Sequence, residues 1–181
     1  MSNPVEQLKK EYKAIEEYLL KHSLGALFVG DLNKHLRKVL ILSAGSYFEH
    51  KITTILSDYV SAKSNEDMRM VNFLKKQAIS QKYHTLFSWG EKDTPEKPAK
   101  NANTFFKLFG EDFKEEVDND IKQQGELEES IKAFIEIGHL RNILVHSNFA
   151  EYVYEQKTPD EIFELFQKAE PFLDYLQNKL K

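Results

Sequence analysis

A chain of 181 residues is long enough for one well-packed domain and too short for two independent cores. Its 41% hydrophobic and 30% charged residues exclude a disordered composition. The absence of cysteine excludes disulfides, thiolate metal sites and Cys nucleophiles, and a formal charge of −4 argues against a large nucleic-acid-coating surface while leaving room for a small basic cleft. Seven glycines and five prolines are few, which favours helices over strands. No run of 18 apolar residues is present and Met1 to Lys10 has no signal-type apolar core, so a reduced, cytoplasmic setting without a membrane partner is expected.

In chain order, Val5, Leu8, Tyr12, Ile15 and Leu19 recur at helical spacing behind a possible Asn3 cap with Pro4 just inside. This first helix ends before Ser23-Leu24-Gly25. A second helix is predicted from Asp31 to about Ser61, with Leu32, Leu36, Val39, Leu40, Phe48, Ile52, Ile55 and Tyr59 on its apolar stripe. Gly45 sits mid-helix, where it weakens the helix, so close approach of a neighbouring helix or chain is expected there. Met68, Val71, Phe73 and Leu74 suggest a short helix, with helical pattern continuing through Ile79 and Phe87. Gly90 to Asn103, carrying Pro95, Pro98 and many charges, reads as an exposed loop rather than a domain linker.

Phe105, Phe106, Leu108 and Phe109 form an aromatic anchor. Glu126 to His146 is a strong helix pattern that ends at Ser147-Asn148, and Phe149 to Lys157 reads as an extended strap. Thr158-Pro159-Asp160-Glu161 is a capping box with proline at the first helical position, opening a last helix lined by Ile162, Leu165, Phe166, Ala169, Phe172, Leu173 and Leu176. The expected architecture is all-α: a single domain over residues 1–181, an up-and-down bundle of four to six helices.

The chemistry concentrates in Arg141-Asn142-Ile143-Leu144-Val145-His146. Arginine keeps its charge at neutral pH while histidine is poised to exchange a proton. That pair meets the needs of phosphodiester cleavage without a metal: fixed positive charge for the phosphorane and a proton shuttle for the attacking or leaving oxygen. Five residues advance a helix by about 500°, leaving Arg141 and His146 roughly 140° apart. Arginine's reach, or unwinding at Ser147, has to bring the head groups together. Asn142 lies four residues before His146, on the same face, where it can set the imidazole tautomer. The bland alternative is a surface Arg and a helix-terminal His that complements the dipole.

Glu49 falls inside an apolar-aromatic stretch and reads equally as a group that orients Arg141 or tunes His146, or as a structural or solvated carboxylate. His50 reads as surface, His139 as structural or rim. His22, His35 and His84 lack metal-ligand spacing, so neither metal nor cofactor is expected. Tyr83, Phe87 and Trp89 at their spacing are more often core than base-stacking, and Lys97, Lys100 and Lys107 are either phosphate attractors or simply solvated.

Arg-Asn-x-x-x-His near the end of the penultimate helix resembles the HEPN superfamily, all-α proteins of which many are metal-independent ribonucleases with an Arg-x4–6-His motif. Leu42-Ser43-Ala44-Gly45-Ser46-Tyr47-Phe48-Glu49 looks like that family's second-helix segment with its acidic residue. Asn101 to Gly110 and Leu140 to Phe149 are similar to the RiboL-PSP-HEPN branch, and with the final helix the resemblance spans roughly residues 30 to 180. Toxins of the superfamily controlled by nucleotidyltransferase antitoxins carry Tyr two residues after the His. Here that position is Asn148, so the resemblance does not extend to control by adenylylation there.

The resemblance implies an endoribonuclease acting on RNA, with His146 as base or acid, Arg141 stabilising the phosphate, Asn142 positioning and Glu49 tuning. It further implies a homodimer with a composite active site, a toxin or phage-defence role, and an antitoxin or other regulatory protein as partner. The alternatives are a non-catalytic HEPN-like RNA-binding protein and a pure protein-interaction module.

Overall fold

The computed structural model describes residues 3–22, 25–90 and 101–181. Among them eight α-helices occur and no strand beyond an isolated bridge between Ser88 and Asn101. α1 (Pro4–Leu20) begins as its sequence dictates, the Asn3 side chain accepting a hydrogen bond from the Val5 N–H at 2.9 Å. α2 (Gly25–Lys63) runs for 39 residues, about 58 Å at helical rise. It starts six residues before the expected Asp31, because Gly30 is carried within the helix instead of ending a loop. α3 (Met68–Leu74) is capped by Asp67 and passes into a π-helical turn at Lys75–Ile79. α4 (Tyr83–Leu86) and α5 (Asn103–Lys107) are short. α6 (Glu111–Gln123), α7 (Gly125–His146) and α8 (Pro159–Lys179) complete the chain, the last opening on the complete Thr158/Glu161 capping box.

The five helices of thirteen residues or more form the expected all-α up-and-down bundle. Contacts fix their directions. Leu19 and Glu16 of α1 meet Gly25 and Asn33 of α2, Gly45 and Phe48 of α2 meet Arg141 and Phe134 of α7, and Glu136 and Ser130 of α7 meet Lys157, just before α8, and Phe172 within it. Each of those neighbours therefore runs antiparallel to the last. α7 is central and apolar on several sides at once. Phe134 alone packs against Phe48 of α2, Phe172 of α8, and Phe87 and Trp89 from the segment around α4. Such a fully buried Phe contributes about 1.5–3 kcal/mol of burial.

Proline within α8 is tolerated because α7 repairs the ladder. Pro171 removes one backbone N–H from α8, and the buried Ser130 hydroxyl accepts from the Phe172 N–H at 2.8 Å while donating to the Ala169 carbonyl at 3.2 Å.

Three expectations are corrected. The α1 stripe exists, but only Val5, Leu8 and Tyr12 meet the core, while Ile15 is exposed. The loop expected at 90–103 ends sooner: residues 91–100 lie outside the described residues, Ala102 is buried and Asn103 already begins α5. α6 was not anticipated, although Phe113, Val117 and Ile121 recur every four residues and pack on the core, Val117 completely.

Candidate functional site

The long reach between α2 and α7 is set by a missing side chain. Gly45 faces Arg141, and a Cβ built on it would lie 2.7 Å from Arg141 Cγ and 2.9 Å from its Cβ. Close approach of a neighbouring helix is thus what Gly45 serves. The arginine stem runs over the glycine and its guanidinium arrives at Glu49, one helical turn further along α2. There Nη2 donates to Glu49 Oε2 at 3.0 Å. Both side chains keep about a third of their surface in solvent, 27% and 34%. This hydrogen bond uses one of arginine's five N–H donors.

Behind the pair lies a crevice of about 10 Å³ lined by Gly45, Tyr83, His84, Trp89, Gly138, Arg141 and Asn142. A second glycine builds its wall: the Trp89 ring lies where a Gly138 side chain would be, and its Nε1 donates to the His84 carbonyl at 3.0 Å. Burial pushes the Tyr83 hydroxyl pKa far up, with the Glu49 charge adding to the rise and Arg141 opposing it. Tyr83 is therefore a permanently neutral neighbour of the ion pair. Gly138 was not singled out from sequence, and Tyr83 was read there as core rather than as a neighbour of the ion pair. A glycine inside an apolar helix pattern, eight residues before the motif histidine, was the available signal.

Asn142 and His146 are placed differently from the expectation. Asn142 faces the crevice, and no hydrogen bond joins it to the imidazole. His146 is exposed as the last residue of α7, and no hydrogen bond or ion pair links it to Arg141 or Glu49. Unwinding does begin at Ser147, which is extended (φ −105, ψ 159), without a hydrogen bond between the two head groups of one chain.

The backbone after His146 is fixed by α2. Lys38 is only 3% exposed, and its ammonium donates to the carbonyls of Phe149 at 2.7 Å and Tyr152 at 3.2 Å while lying 4.6 Å from the Phe149 ring centroid. Arg37 donates to the Tyr154 carbonyl at 3.3 Å. Asn148 closes the turn from within, its side chain accepting from Ala150 N–H at 3.2 Å and its carbonyl from Tyr152 N–H at 2.8 Å. The expected strap is thus a tight turn followed by a non-helical run pinned by two cations. Sequence reasoning passed over Arg37 and Lys38, whose signal was a pair of cations amid the apolar positions of α2.

A model of the family described as RiboL-PSP-HEPN matches residues 6–181. The chain belongs to the RiboL-PSP-HEPN family. Membership extends the resemblance through α1 and brings a nuclease- or RNA-related role. Comparison with curated proteins and with solved structures returns no match.

The remaining candidates of this HEPN chain sort by burial. Tyr83, Phe87 and Trp89 are core, packed on one another and on Phe134. His22, His35, His50 and His84 are exposed. Lys107 pairs with Glu111 at 3.3 Å, while Lys97 and Lys100 lie outside the described residues. No group of three His, Cys, Asp or Glu suited to a metal occurs among the described residues, and none of their helices is long and apolar enough to cross a membrane.

Proposed function

We propose that the protein, a single HEPN-like domain over residues 1–181, is a metal-independent, RNA-specific endoribonuclease. The observation that carries the reading is the partly exposed Arg141 side chain, ion-paired to Glu49, on the helix that ends in the exposed His146. In the reaction the RNA 2′-oxygen attacks the adjacent phosphorus. One imidazole takes the 2′-hydroxyl proton, an O2′–P bond forms, the P–O5′ bond breaks, and an imidazolium protonates the departing 5′-oxygen. Arg141 stabilises the non-bridging oxygens. Glu49 orients the guanidinium, and Asn142 positions from the crevice wall. The products are a 2′,3′-cyclic phosphate and a 5′-hydroxyl.

Two protonation roles call for two histidines, and each chain supplies one in the motif. A two-fold homodimer that sets both α7 ends face to face gives a pair of His146 and a pair of Arg141 in one basic cleft. Glu49 then also limits repulsion between the two arginines. A cytoplasmic toxin or phage-defence effector, held by an antitoxin or regulatory protein, is the role that fits such an activity.

The test is cleavage of a mixed RNA in EDTA, with DNA of the same sequence as control. Wild type should cut only the RNA, with a rate that bends between about pH 5 and 8. His146→Ala should lower the rate by about 100- to 10,000-fold. Arg141→Ala should lower it by about 100- to 1,000-fold, with little change in melting temperature. RNA binding without cleavage would instead favour a non-catalytic module, and a large loss of stability in Arg141→Ala would mark the Glu49 pair as structural.

A further inference from the structure

We infer that Phe149 is a base-stacking platform of this RNA site, holding a base, preferentially a purine, beside the scissile phosphate, with Lys38 fixed behind its ring. The inference rests on the ribonuclease reading of Arg141 and His146 and specifies how their substrate is held. Phe149 is 40% exposed, makes no ring contact among the described residues, and has the Lys38 ammonium 4.6 Å from its centroid. The ring is therefore engaged by a cation while a substantial part of the residue stays in solvent.

A large aromatic left in water beside a reactive group has no packing reason to be there, and its presentation is unusually rigid. Lys38 holds the Phe149 and Tyr152 carbonyls, and Asn148 closes the turn with its side chain. Rigid presentation lowers the ordering cost of binding. The cation draws electron density from the ring, which favours an electron-rich partner stacked on it. Bases are such partners, and purines offer the larger face. Phe149 lies three residues past His146, so their Cα atoms are within about 11 Å. A base on this ring thus belongs to a nucleotide at or next to the one being cut.

A buried apolar dimer contact is the rival use of the ring, together with exposed Val145 and Val153. The size of the Phe149→Leu protein in solution separates that use from base stacking.

The experiment measures binding of 2′-O-methyl oligoadenylate and oligouridylate, which lack the attacking hydroxyl, to wild type, Phe149→Leu and Phe149→Trp. Wild type should prefer oligoadenylate. Phe149→Leu keeps the apolar volume but lacks a π-face, and should weaken oligoadenylate binding by about tenfold and erase the preference. Phe149→Trp should restore both. Sizes in solution should match among the three. Wild-type cleavage of unmodified RNA combined with Leu-variant binding within twofold of wild type overturns the stacking role and leaves the ribonuclease reading standing. Failure of the Trp variant to exceed the Leu variant, or dissociation of a dimer by Phe149→Leu, overturns it likewise. Wild type that neither binds nor cuts RNA overturns both readings.

Discussion

Replacing Gly45 with alanine sets two effects of known size against each other. Alanine is the better helix former by about 1 kcal/mol in a helix interior. Its Cβ, however, would stand 2.7 Å from Arg141 Cγ and 2.9 Å from Arg141 Cβ, and these atoms belong to the stem rather than the flexible head. Relieving overpacking of this kind costs about 1–3 kcal/mol, so Gly45→Ala should lose about 0–2 kcal/mol net. At about 2–4 °C per kcal/mol the melting temperature falls by no more than about 8 °C. Function should suffer far more than stability. Restoring ordinary contact moves the stem by about 0.7 Å, taking the guanidinium off Glu49, and misplacement near 1 Å costs catalysis about 100-fold. Gly30→Ala is the control, since nothing lies within 4 Å of a Cβ there. It should gain about 0.5–1 kcal/mol with unchanged cleavage. Melting curves and initial RNA cleavage rates for both variants are the assay. A Gly45→Ala protein that cuts at the wild-type rate would refute the claim that Gly45 exists to seat Arg141.

Ser130→Ala should cost about 1–3 kcal/mol by leaving the Phe172 N–H unsatisfied inside the bundle, read as a fall in chemical-denaturation midpoint. A loss below about 0.5 kcal/mol would show that α8 repairs Pro171 without α7. Glu170 has its pKa raised by burial first and by Glu6 next, against the hydrogen bond from Asn3. Its neutral form is thus favoured in the folded state, and its contribution is full below the ordinary glutamate range and is lost as pH rises through the raised value. Glu170→Gln should therefore melt higher than wild type near pH 7 and lose that advantage near about pH 4. An advantage independent of pH would contradict the assignment.

Sequence pattern reported the bundle wherever one face met one neighbour. α8 was legible because Ile162, Phe166, Ala169, Phe172 and Leu176 keep helical spacing and Thr158 with Glu161 writes its start. α6 was lost for the opposite reason. A narrow stripe of Phe113, Val117 and Ile121 is enough to dock it, and the acidic residues between them hide the period. The start of α2 slipped because a lone glycine before an aspartate looks like a loop meeting a cap, while nothing local marks a helix that simply continues through it. Gly45 was legible as a close approach. That the approaching group was Arg141, 96 positions away, was not.

The site itself was half legible, and the division has one physical cause. Residue types announce chemistry, so Arg141 and His146 stood out; the contacts that hold them are long-range and leave no period to read. From sequence Glu49 read equally as a group that orients Arg141 or tunes His146 and as a structural or solvated carboxylate, and the 3.0 Å hydrogen bond it accepts makes it the partner of Arg141. Lys38 is the clearer case. On a helix pattern a lysine marks a solvated side, yet this one is buried because the chain leaving α7 has carbonyls that need donors. The carbonyls of Phe149 and Tyr152 lie past the helix in non-helical chain and need donors from elsewhere, and α7 ends without a glycine cap, at an extended Ser147. Its exit path is therefore held by a cation from another helix, which is also what fixes Asn148 and Phe149 beside His146. The placement of the motif residues thus depends on α2 twice, through Gly45 and Glu49 for the arginine and through Lys38 for the turn beyond the histidine. A single sequence shows each of these three residues as an anomaly in an apolar stripe, and only the antiparallel pairing of α2 with α7 brings them to Arg141 and to the turn beyond His146.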